Sequence, residues 1–488
     1  VRKAEGAGGA LAPDLPIFMS AYRSVVVSGL TNALRRASGV SLLLSTLFLA
    51  AATACAEAPT DGGIRSILQD RVDSKRATGL VAGILDGDAK RVIAAGVSGA
   101  DRPLDGDTVF EIGSITKVFT ASLLSDMVHR GEVRLDDPIS KYLPSNVRAP
   151  SRNGRQITLL DLATQSSGLP RLPDNLSPRD PANPYADYTV EKLYEFLSRY
   201  ELPRDVGSKY EYSNVGVGLL GHLLARKAGT TYEELLTKRI LAPLQMRDTA
   251  ITLSPAMRKR LAAGHDDSGA AVPNWDLPTL TGAGGLRSTV NDMLKFLAAN
   301  LGKGDPVLVA VLTDTHRVRR ATEQPGLDIA LAWHILHPFR EELVWHNGGT
   351  GGYHSWIGFV AKRRAGAIVL SNSSGTIDDI GIHIVVPRFP IPGPPKPRKE
   401  AIVAPEVLDT YTGEYQLGPA FSIVVTREGG ALFVQATSQP KLPLFAESET
   451  DFFLQVVDAQ IRFVKEGGRV TSLVLHQNGQ DTPGRKIK

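Results

Sequence analysis

A serine and a lysine three residues apart form the strongest chemical signal in this 488-residue sequence. They are Ser114 and Lys117 in the stretch FEIGSITKVFTASLL (110–124), at the predicted start of a helix that follows Gly113. Residues i and i+3 share one face of a helix, so the amine can reach the hydroxyl. A serine is a poor nucleophile without an adjacent base, and a lysine that has lost its charge can supply one. The alternative is a helix-capping serine beside a solvated lysine.

Two later segments carry further polar groups. The first, YEYSN (210–214), places Tyr212 and Asn214 just ahead of an apolar helical pattern. The second, VWHNGGTGG (344–352), runs from a strand pattern into glycines. Taken alone, the tyrosine fits an amphipathic core residue and His346 fits a structural histidine. The glycines do not form a phosphate-binding loop, because no Gly-Lys-Ser/Thr follows them.

The order and separation of these three motifs resemble the penicillin-recognising serine hydrolases. The similarity is greatest to the branch that contains class C β-lactamases, D-aminopeptidases and family VIII esterases. Residues 157–173 (ITLLDLATQSSGLPRLP), 218–249 and 282–297 also look like segments of that family, so the resemblance covers about residues 60–385. It implies an α/β fold of the β-lactamase/transpeptidase type, an antiparallel sheet flanked by helices with an all-helical subdomain.

The resemblance also implies a role for each motif residue. Ser114 would be the acylated nucleophile and Lys117 the partner that helps take its proton. Tyr212 would act as general base in acylation and activate water in deacylation, which requires cations close enough to lower its pKa from about 10. Asn214 would hydrogen-bond Lys117 and the acyl side-chain amide of the substrate. The backbone N–H groups of Ser114 and Gly349 would form the oxyanion hole.

The third motif departs from the β-lactamase pattern. In β-lactamases it is Lys-Thr-Gly, whose cation and hydroxyl hold the substrate carboxylate, whereas here it is His346-Asn347-Gly348. These three residues and Gly349 are predicted to bind substrate. Histidine, with an ordinary pKa of about 6.5, is mostly uncharged near neutral pH, so weak penicillin turnover is expected. His-x-Gly resembles the D-aminopeptidase and peptidase members, and Trp-x-Gly is commoner in the esterases.

Two other polar or glycine-rich positions have competing interpretations. The cluster Gly282-Ala283-Gly284-Gly285 is predicted to be a turn before a helix capped by Thr289, although it could border the cleft. Gln165 could line the acyl pocket or be structural. The sequence contains one cysteine and neither His-x-x-x-His nor HExxH, so no metal site and no organic cofactor is predicted.

The elements around the motifs form a sheet with a helical insertion. Residues 62–76 predict an amphipathic helix, and GLVAGILD and RVIAAGVSG predict a hairpin turning at Gly87-Asp88. Helical patterns dominate residues 114–300, and strand patterns return at 343–346, 353–360 and 366–371. Strands, a long helical stretch and strands again indicate one sheet whose strands come from both ends of the domain.

Four segments follow from this pattern. Residues 1–56 are a predicted signal peptide with an upstream extension, and 60–387 a serine β-lactamase-like catalytic domain. Residues 388–404 are a linker, rich in proline at its start. Short strand patterns then predict a small antiparallel barrel at 405–488, similar to the lipocalin-like barrels of related hydrolases. In those relatives the barrel caps the cleft or mediates oligomerisation, so an oligomer through the barrel is one possibility.

The amino terminus predicts export. Arg35-Arg36 precede the apolar run SGVSLLLSTLFLAAATAC, which is too short to span a bilayer and has the form of a secretory signal peptide. Cleavage before Cys55 would give a lipid-anchored protein, and cleavage after Ala56 an unmodified periplasmic or secreted one. The net charge is +4, and residues from Cys55 onward hold 50 Lys/Arg and 49 Asp/Glu. This balance excludes an electrostatic footprint for nucleic acid.

The sequence therefore predicts an exported serine hydrolase that works through an acyl-serine intermediate on a small molecule or short peptide. The leading substrate class is an amide of D-amino-acid or cell-wall peptide type, or a β-lactam. One alternative is a carboxylesterase for short acyl esters. Another, of a different class, is a slow-acylating penicillin-binding or scaffold protein.

Overall fold

The chain divides into two compact units that are described separately. The computed structural model describes residues 58–488 except Asp101, 324–325, 394–397, 419–420, 438–440, 456–458 and 478–479. Described residues up to Ile391 form the first unit and those from Pro392 onward the second. The predicted signal peptide, Cys55 and the middle of the proline-rich stretch lie outside the described residues.

The first unit is built on an eight-stranded antiparallel sheet with the strand order β2-β1-β14-β13-β12-β11-β10-β9. Short pairs β3-β8, β4-β5 and β6-β7 lie outside this sheet. The strands of this unit are β1 Gly79–Asp86, β2 Ala89–Gly96, β3 Val109–Glu111, β4 Ser151–Arg152, β5 Arg155–Gln156, β6 Gly264–His265, β7 Ala271–Val272, β8 Arg287–Thr289, β9 Arg320–Ala321, β10 Leu327–Ile329, β11 His334–Leu336, β12 Leu343–Gly349, β13 His354–Val360 and β14 Ala365–Ser371.

Helices fill the interval between β2 and β9 and flank the sheet. In chain order they are α1 Asp61–Asp73, α2 Thr116–His129, α3 Leu159–Ala163, α4 Val190–Arg199, α5 Asn214–Ala228, α6 Tyr232–Leu236, α7 Pro255–Arg258, α8 Thr281–Gly284, α9 Val290–Asn300, α10 Pro306–Thr315 and α11 Asp378–Val385. The helix predicted at 62–76 is α1, and the predicted hairpin is β1-β2. The α/β fold with a helical insertion is confirmed.

The core of this unit surrounds α2. All of its residues from Thr116 to Met127 are buried, including polar side chains such as Lys117 and Asp126, so the helix is covered on every side by the rest of the unit. Strand β1 is buried from Gly79 to Leu85 because the sheet is covered on both faces. A Cβ atom at Gly83 would stand 2.5 Å from a methyl group of Val290, so α9 packs directly against β1.

The second unit is a closed antiparallel barrel, which confirms the predicted architecture. A helix, α12 Pro405–Tyr411, precedes it. Its strands are β15 Gly413–Gly418, β16 Phe421–Glu428, β17 Ala431–Ala436, β18 Leu442–Ala446, β19 Asp451–Leu454, β20 Ala459–Glu466, β21 Arg469–Gln477 and β22 Gln480–Lys486. Tyr411 is fully buried and stacks on Phe463 at 4.2 Å between ring centroids, so aromatic side chains pack the interior.

Helix length and polarity bear on membrane insertion. No helix in the described part of the chain is both long enough and apolar enough to cross a membrane.

Candidate active site

Ser114 lies on a short 3-10 helix, Gly113–Ile115, between β3 and α2. Gly113 takes a left-handed conformation with φ +47°, which a side chain would disfavour. A Cβ atom there would also stand 2.7 Å from the backbone nitrogen of Gly349. The end of β12 therefore passes beside the turn that carries Ser114. This close approach brings together the two backbone segments predicted to form the oxyanion hole.

Lys117 makes three hydrogen-bond contacts inside the protein and is fully buried. Its Nζ lies 2.9 Å from Ser114 Oγ, 2.8 Å from Asn214 Oδ1 and 2.6 Å from the carbonyl oxygen of Ala283. None of the three partners is a carboxylate. Burial therefore lowers the Lys117 pKa well below its ordinary value, and the nearby Arg171 guanidinium lowers it further.

The three partners also orient the Lys117 amine. The oxygens of Asn214 and Ala283 can only accept hydrogen bonds, whereas the Ser114 hydroxyl can donate one. A neutral amine has two N–H bonds and one lone pair, so both N–H groups are used by the two carbonyl-type oxygens. The lone pair then faces the Ser114 hydroxyl. This is the arrangement that a general base requires.

Tyr212 lies against the same lysine. Its hydroxyl is within hydrogen-bonding reach of Ser114, and its ring centroid lies 4.8 Å from Lys117 Nζ and 5.3 Å from the Arg171 guanidinium carbon. Burial raises the Tyr212 pKa, whereas the Ser114 hydrogen bond and the Arg171 charge lower it. The effect of burial is the larger, and it raises the pKa to about 12. The pKa depression expected from the sequence is therefore not found. In the unliganded site Tyr212 is a protonated phenol that can donate a proton.

The segment before α5 is braced from the loop after α3. Ser213 caps α5 by accepting from the Gly216 N–H at 2.9 Å and donates to the Pro170 carbonyl at 2.6 Å. Gln165 Oε1 accepts the Ser213 backbone N–H at 2.8 Å, and Gln165 is only 1 % exposed. Gln165 thus positions the motif instead of lining the open pocket. Tyr185 is within hydrogen-bonding reach of Asn214.

The third motif carries no permanent positive charge. His346 is fully buried, and burial, with further contributions from His334 and Lys117, lowers its pKa well below its ordinary value. The imidazole is therefore neutral. Its ring lies 6.3 Å from the Tyr212 ring and 5.0 Å from that of His334, centroid to centroid. His346 Nδ1 contacts the Asn347 carbonyl oxygen and thus carries the proton, while its buried Nε2 has no hydrogen-bond partner.

Asn347 is directed at an acidic residue of α11. Its Nδ2 donates to Asp378 Oδ2 at 2.6 Å, and the other oxygen of Asp378 contacts His354 Nε2 at 3.0 Å. Asp378 and His354 are buried. One of the two amide N–H groups of Asn347 is thus engaged within the protein, and Gly348 has no side chain to offer.

Two groups at the site were not identified from the sequence. The Ala283 carbonyl belongs to the glycine-rich cluster interpreted as a turn, yet it accepts a hydrogen bond from Lys117. Arg171 lies in the family-like segment 157–173, and no role is predicted for it there. The need for a cation near Tyr212 is a signal for such a residue, but the distance in sequence between Arg171 and the motifs gives no indication that Arg171 supplies it.

The structure thus brings Ser114, Lys117, Tyr212, Asn214 and Gly349 together. His346 lies beside Tyr212, and Asn347 is turned towards Asp378. Among the described residues, no three His, Cys, Asp or Glu side chains are grouped to hold a metal ion.

Comparisons with known proteins give matches in both units. Residues 64–383 match the family model described as Beta-lactamase, and residues 397–486 match a domain of unknown function, DUF3471. The D-alanyl-D-alanine-carboxypeptidase/endopeptidase AmpH of Escherichia coli K12 is 31 % identical over 316 residues, or 61 % of this chain and 80 % of that protein. Penicillin-binding protein 4* of Bacillus subtilis is 24 % identical over 413 residues, or 79 % of this chain and 89 % of that protein.

The fold has close counterparts among solved structures. The crystal structure of a class C β-lactamase from Rhodobacter sphaeroides is 25 % identical with a TM-score of 0.58, and the match covers 66 % of this chain and 96 % of that one.

Proposed function

The chain belongs to the Beta-lactamase family of serine hydrolases, and from that premise we propose that it is an exported peptidase for amides of D-amino-acid or cell-wall type. The observation that supports acyl transfer most directly is the orientation of Lys117. Its Nζ lies 2.9 Å from Ser114 Oγ, and in the neutral amine the two N–H groups that bind Asn214 and Ala283 leave the lone pair for the Ser114 hydroxyl.

In acylation, Lys117 takes the Ser114 proton as Oγ attacks the substrate carbonyl carbon. The carbonyl π pair moves onto oxygen, and the backbone N–H groups of Ser114 and Gly349 stabilise the resulting oxyanion. When the tetrahedral intermediate collapses, the bond to the leaving nitrogen breaks. Tyr212, protonated in the free enzyme, donates its proton to that nitrogen and is reprotonated by the Lys117 ammonium.

In deacylation the same groups act on water. A water molecule attacks the acyl-Ser114 carbonyl and gives up its proton to Lys117, either directly or through the Tyr212 hydroxyl. The proton returns to Ser114 Oγ as the ester bond breaks, which regenerates the hydroxyl and the neutral amine. A Tyr212 phenolate can exist only transiently, while Lys117, which lies over its ring, carries the transferred proton and the Arg171 guanidinium lies nearby.

The preference for D-amino-acid peptides is supported by one relative and by one feature of this chain. The E. coli relative is named as a D-alanyl-D-alanine carboxypeptidase and endopeptidase. The third motif, His346-Asn347-Gly348, lacks the lysine with which the β-lactamase pattern holds a carboxylate. This absence supports slow turnover of β-lactams.

Carboxylesterase activity is the second candidate, and a specific contact favours it. Asn347 Nδ2 donates one of its two N–H groups to Asp378 at 2.6 Å, and His346 is neutral, so these two residues offer no cation to a substrate carboxylate. The binding of an ester substrate that has no carboxylate group is not weakened by the lack of a cation at this wall. Esters also acylate serine more readily than amides do.

A three-substrate comparison separates the candidates. Purified residues 57–488 are assayed with a D-alanine anilide, p-nitrophenyl butyrate and nitrocefin, with Ser114→Ala as the blank. Anilide turnover well above the blank and above nitrocefin supports the peptidase. Ester turnover alone moves the assignment to an esterase. Stoichiometric adduct formation on Ser114 without turnover would indicate a slow-acylating binding protein.

Export is a separate part of the proposal. It is supported by Arg35-Arg36 and the apolar run that ends near Cys55. Expression of the full chain followed by cell fractionation and mass measurement of the mature amino terminus tests it. A start at Cys55 carrying acyl chains indicates the lipid anchor, and a start at Glu57 indicates the unmodified form. Retention of the uncleaved chain in the cytoplasm would overturn the proposal of export.

A further inference from the structure

Gln165 takes no part in the proposed reaction, yet it binds the chain on both sides of Tyr212. Its backbone carbonyl accepts the Glu211 N–H at 2.7 Å, and its Oε1 accepts the Ser213 N–H at 2.8 Å. The chain is extended at Ser213, and alternate residues of an extended segment present their N–H groups to the same side. One glutamine can therefore accept from both. Tyr212 lies between these two hydrogen bonds, so its backbone is held on each side.

The backbone of Gln165 has an unfavourable conformation. Its φ is +56°, in the left-handed region that few residues other than glycine adopt, and the residue is only 1 % exposed. The next residue is fixed on both sides, because Ser166 donates to the Asp161 carbonyl at 2.9 Å and accepts the Gly207 N–H at 2.7 Å. Strain of this kind persists where the surrounding structure fixes it, and it is commonest at functional sites.

The side-chain amide of Gln165 acts as an acceptor. Oε1 is used by the Ser213 N–H, whereas Nε2 is buried and has no hydrogen-bond partner among the described residues. A buried donor without a partner lowers stability, so packing alone would favour an apolar side chain of the same length. The amide supplies one thing that such a side chain lacks, namely the hydrogen bond to the chain beside Tyr212.

We propose that Gln165 is a positioning residue that holds Tyr212 as a proton donor, and that it thereby sets the preference for amides over activated esters. This rests on the proposed function, in which Tyr212 protonates the leaving nitrogen. The C–N bond of an amide breaks with its electron pair going to nitrogen, which takes the Tyr212 proton. A p-nitrophenolate leaves with the electron pair of the C–O bond and needs no proton. A displaced phenol therefore slows amide cleavage more than cleavage of an activated ester.

The test uses Gln165→Met. Methionine is unbranched and similar in length, it offers no acceptor to the Ser213 N–H, and it removes the unpartnered Nε2. Gln245→Met is the matched control, because Gln245 also has a left-handed backbone, with φ +57°, but is exposed. Gln165→Gly is the second variant should the methionine variant fail to fold. Glycine adopts the left-handed conformation without strain and keeps the backbone carbonyl while it loses Oε1.

The measured quantity is the ratio of kcat/KM for D-alanine p-nitroanilide to that for D-alanine p-nitrophenyl ester. The two substrates share one acyl group, so the ratio reports the departure of the leaving group. Gln165→Met should lower it by about 10- to 100-fold, since a misplacement of about 1 Å can cost that much, and Gln245→Met should leave it unchanged. In Tyr212→Phe, which has no phenolic proton, adding Gln165→Met should not change the ratio further.

Two results would overturn the inference. Equal loss on both substrates in Gln165→Met would leave Gln165 with a structural role only. A further fall of the ratio in the Tyr212→Phe background would show that Gln165 acts through another group.

Failure of the peptidase proposal gives a different result, namely no release of nitroaniline by the wild type. The ratio for ethyl butyrate to p-nitrophenyl butyrate then takes the place of the first ratio, because an ethoxide also needs a proton to leave. It should fall in Gln165→Met, and an unchanged ratio would overturn the inference. Release of the leaving group reports acylation even where the acyl-enzyme is not hydrolysed, so a slow-acylating protein is tested in the same way.

Discussion

Gly348 lies so close to the chain ahead of the nucleophile that a Cβ atom there would stand 2.1 Å from the carbonyl oxygen of Ile112. The same atom would stand 2.8 Å from the backbone nitrogen of Ser114. Glycine is therefore required for β12 to reach the nucleophile. The third motif therefore has two functions. Its glycine allows β12 to approach the backbone at Ser114, and its other residues supply side chains to the site.

Gly348→Ala should displace β12 from Ser114 and disrupt the oxyanion hole. Since removal of one oxyanion donor costs about 10²–10³ in kcat, a loss of at least that size is expected. Thermal denaturation should show a lower Tm as well. Gly62→Ala is the matched control, because a Cβ atom there meets nothing within 4 Å. Wild-type kcat in Gly348→Ala would contradict the proposed geometry.

Lys117→Ala and Lys117→Arg should both slow acylation by about 10²–10⁴, the usual contribution of general-base catalysis. Alanine has no amine, and arginine stays protonated and so has no lone pair to offer. Stopped-flow measurement of acylation with p-nitrophenyl butyrate provides the rate. Ser114→Ala should give no covalent adduct by intact mass. Full acylation by Lys117→Arg would show that the charge of Lys117 matters and its lone pair does not.

The pH dependence of acylation should follow the Lys117 pKa. The active form is the neutral amine, so kcat/KM should rise with pH through a pKa well below the ordinary value of lysine. The Tyr212 pKa is raised to about 12, so the titration of Tyr212 should not change kcat/KM near neutral pH. Tyr212→Phe should therefore lower the acylation rate, but kcat/KM should still rise with pH through the same pKa. If this rise disappeared in Tyr212→Phe, the titrating group would be the Tyr212 phenol.

Asp378→Asn should destabilise the wall behind the third motif. The carboxylate accepts from Asn347 with one oxygen and contacts His354 with the other, whereas a carboxamide has only one acceptor oxygen. A buried group left without a partner costs about 1–3 kcal/mol. The free energy of unfolding, measured by urea denaturation, should fall by that amount. Asp70→Asn, on the exposed face of α1, should leave it unchanged.

Local chain geometry accounts for what the sequence predicted. The Ser114–Lys117 contact depends on the three-residue spacing of a helix, and the β1-β2 hairpin depends on two apolar runs separated by a turn at Gly87, a position with φ +57°. The barrel follows from short strand patterns separated by turn residues. Each of these signals lies within a few residues, so no knowledge of packing was needed. The family resemblance supplied the roles assigned to the three motifs.

Tertiary structure decided the chemical state of those residues. Lys117 meets Asn214 and Ala283 across 97 and 166 residues of chain, and only the packing of α2 against α5 and α8 makes these contacts. Desolvation by that packing lowers the Lys117 pKa and raises that of Tyr212, which reverses the expected state of the phenol. Burial is a property of the whole fold, so no spacing in the sequence could have revealed it.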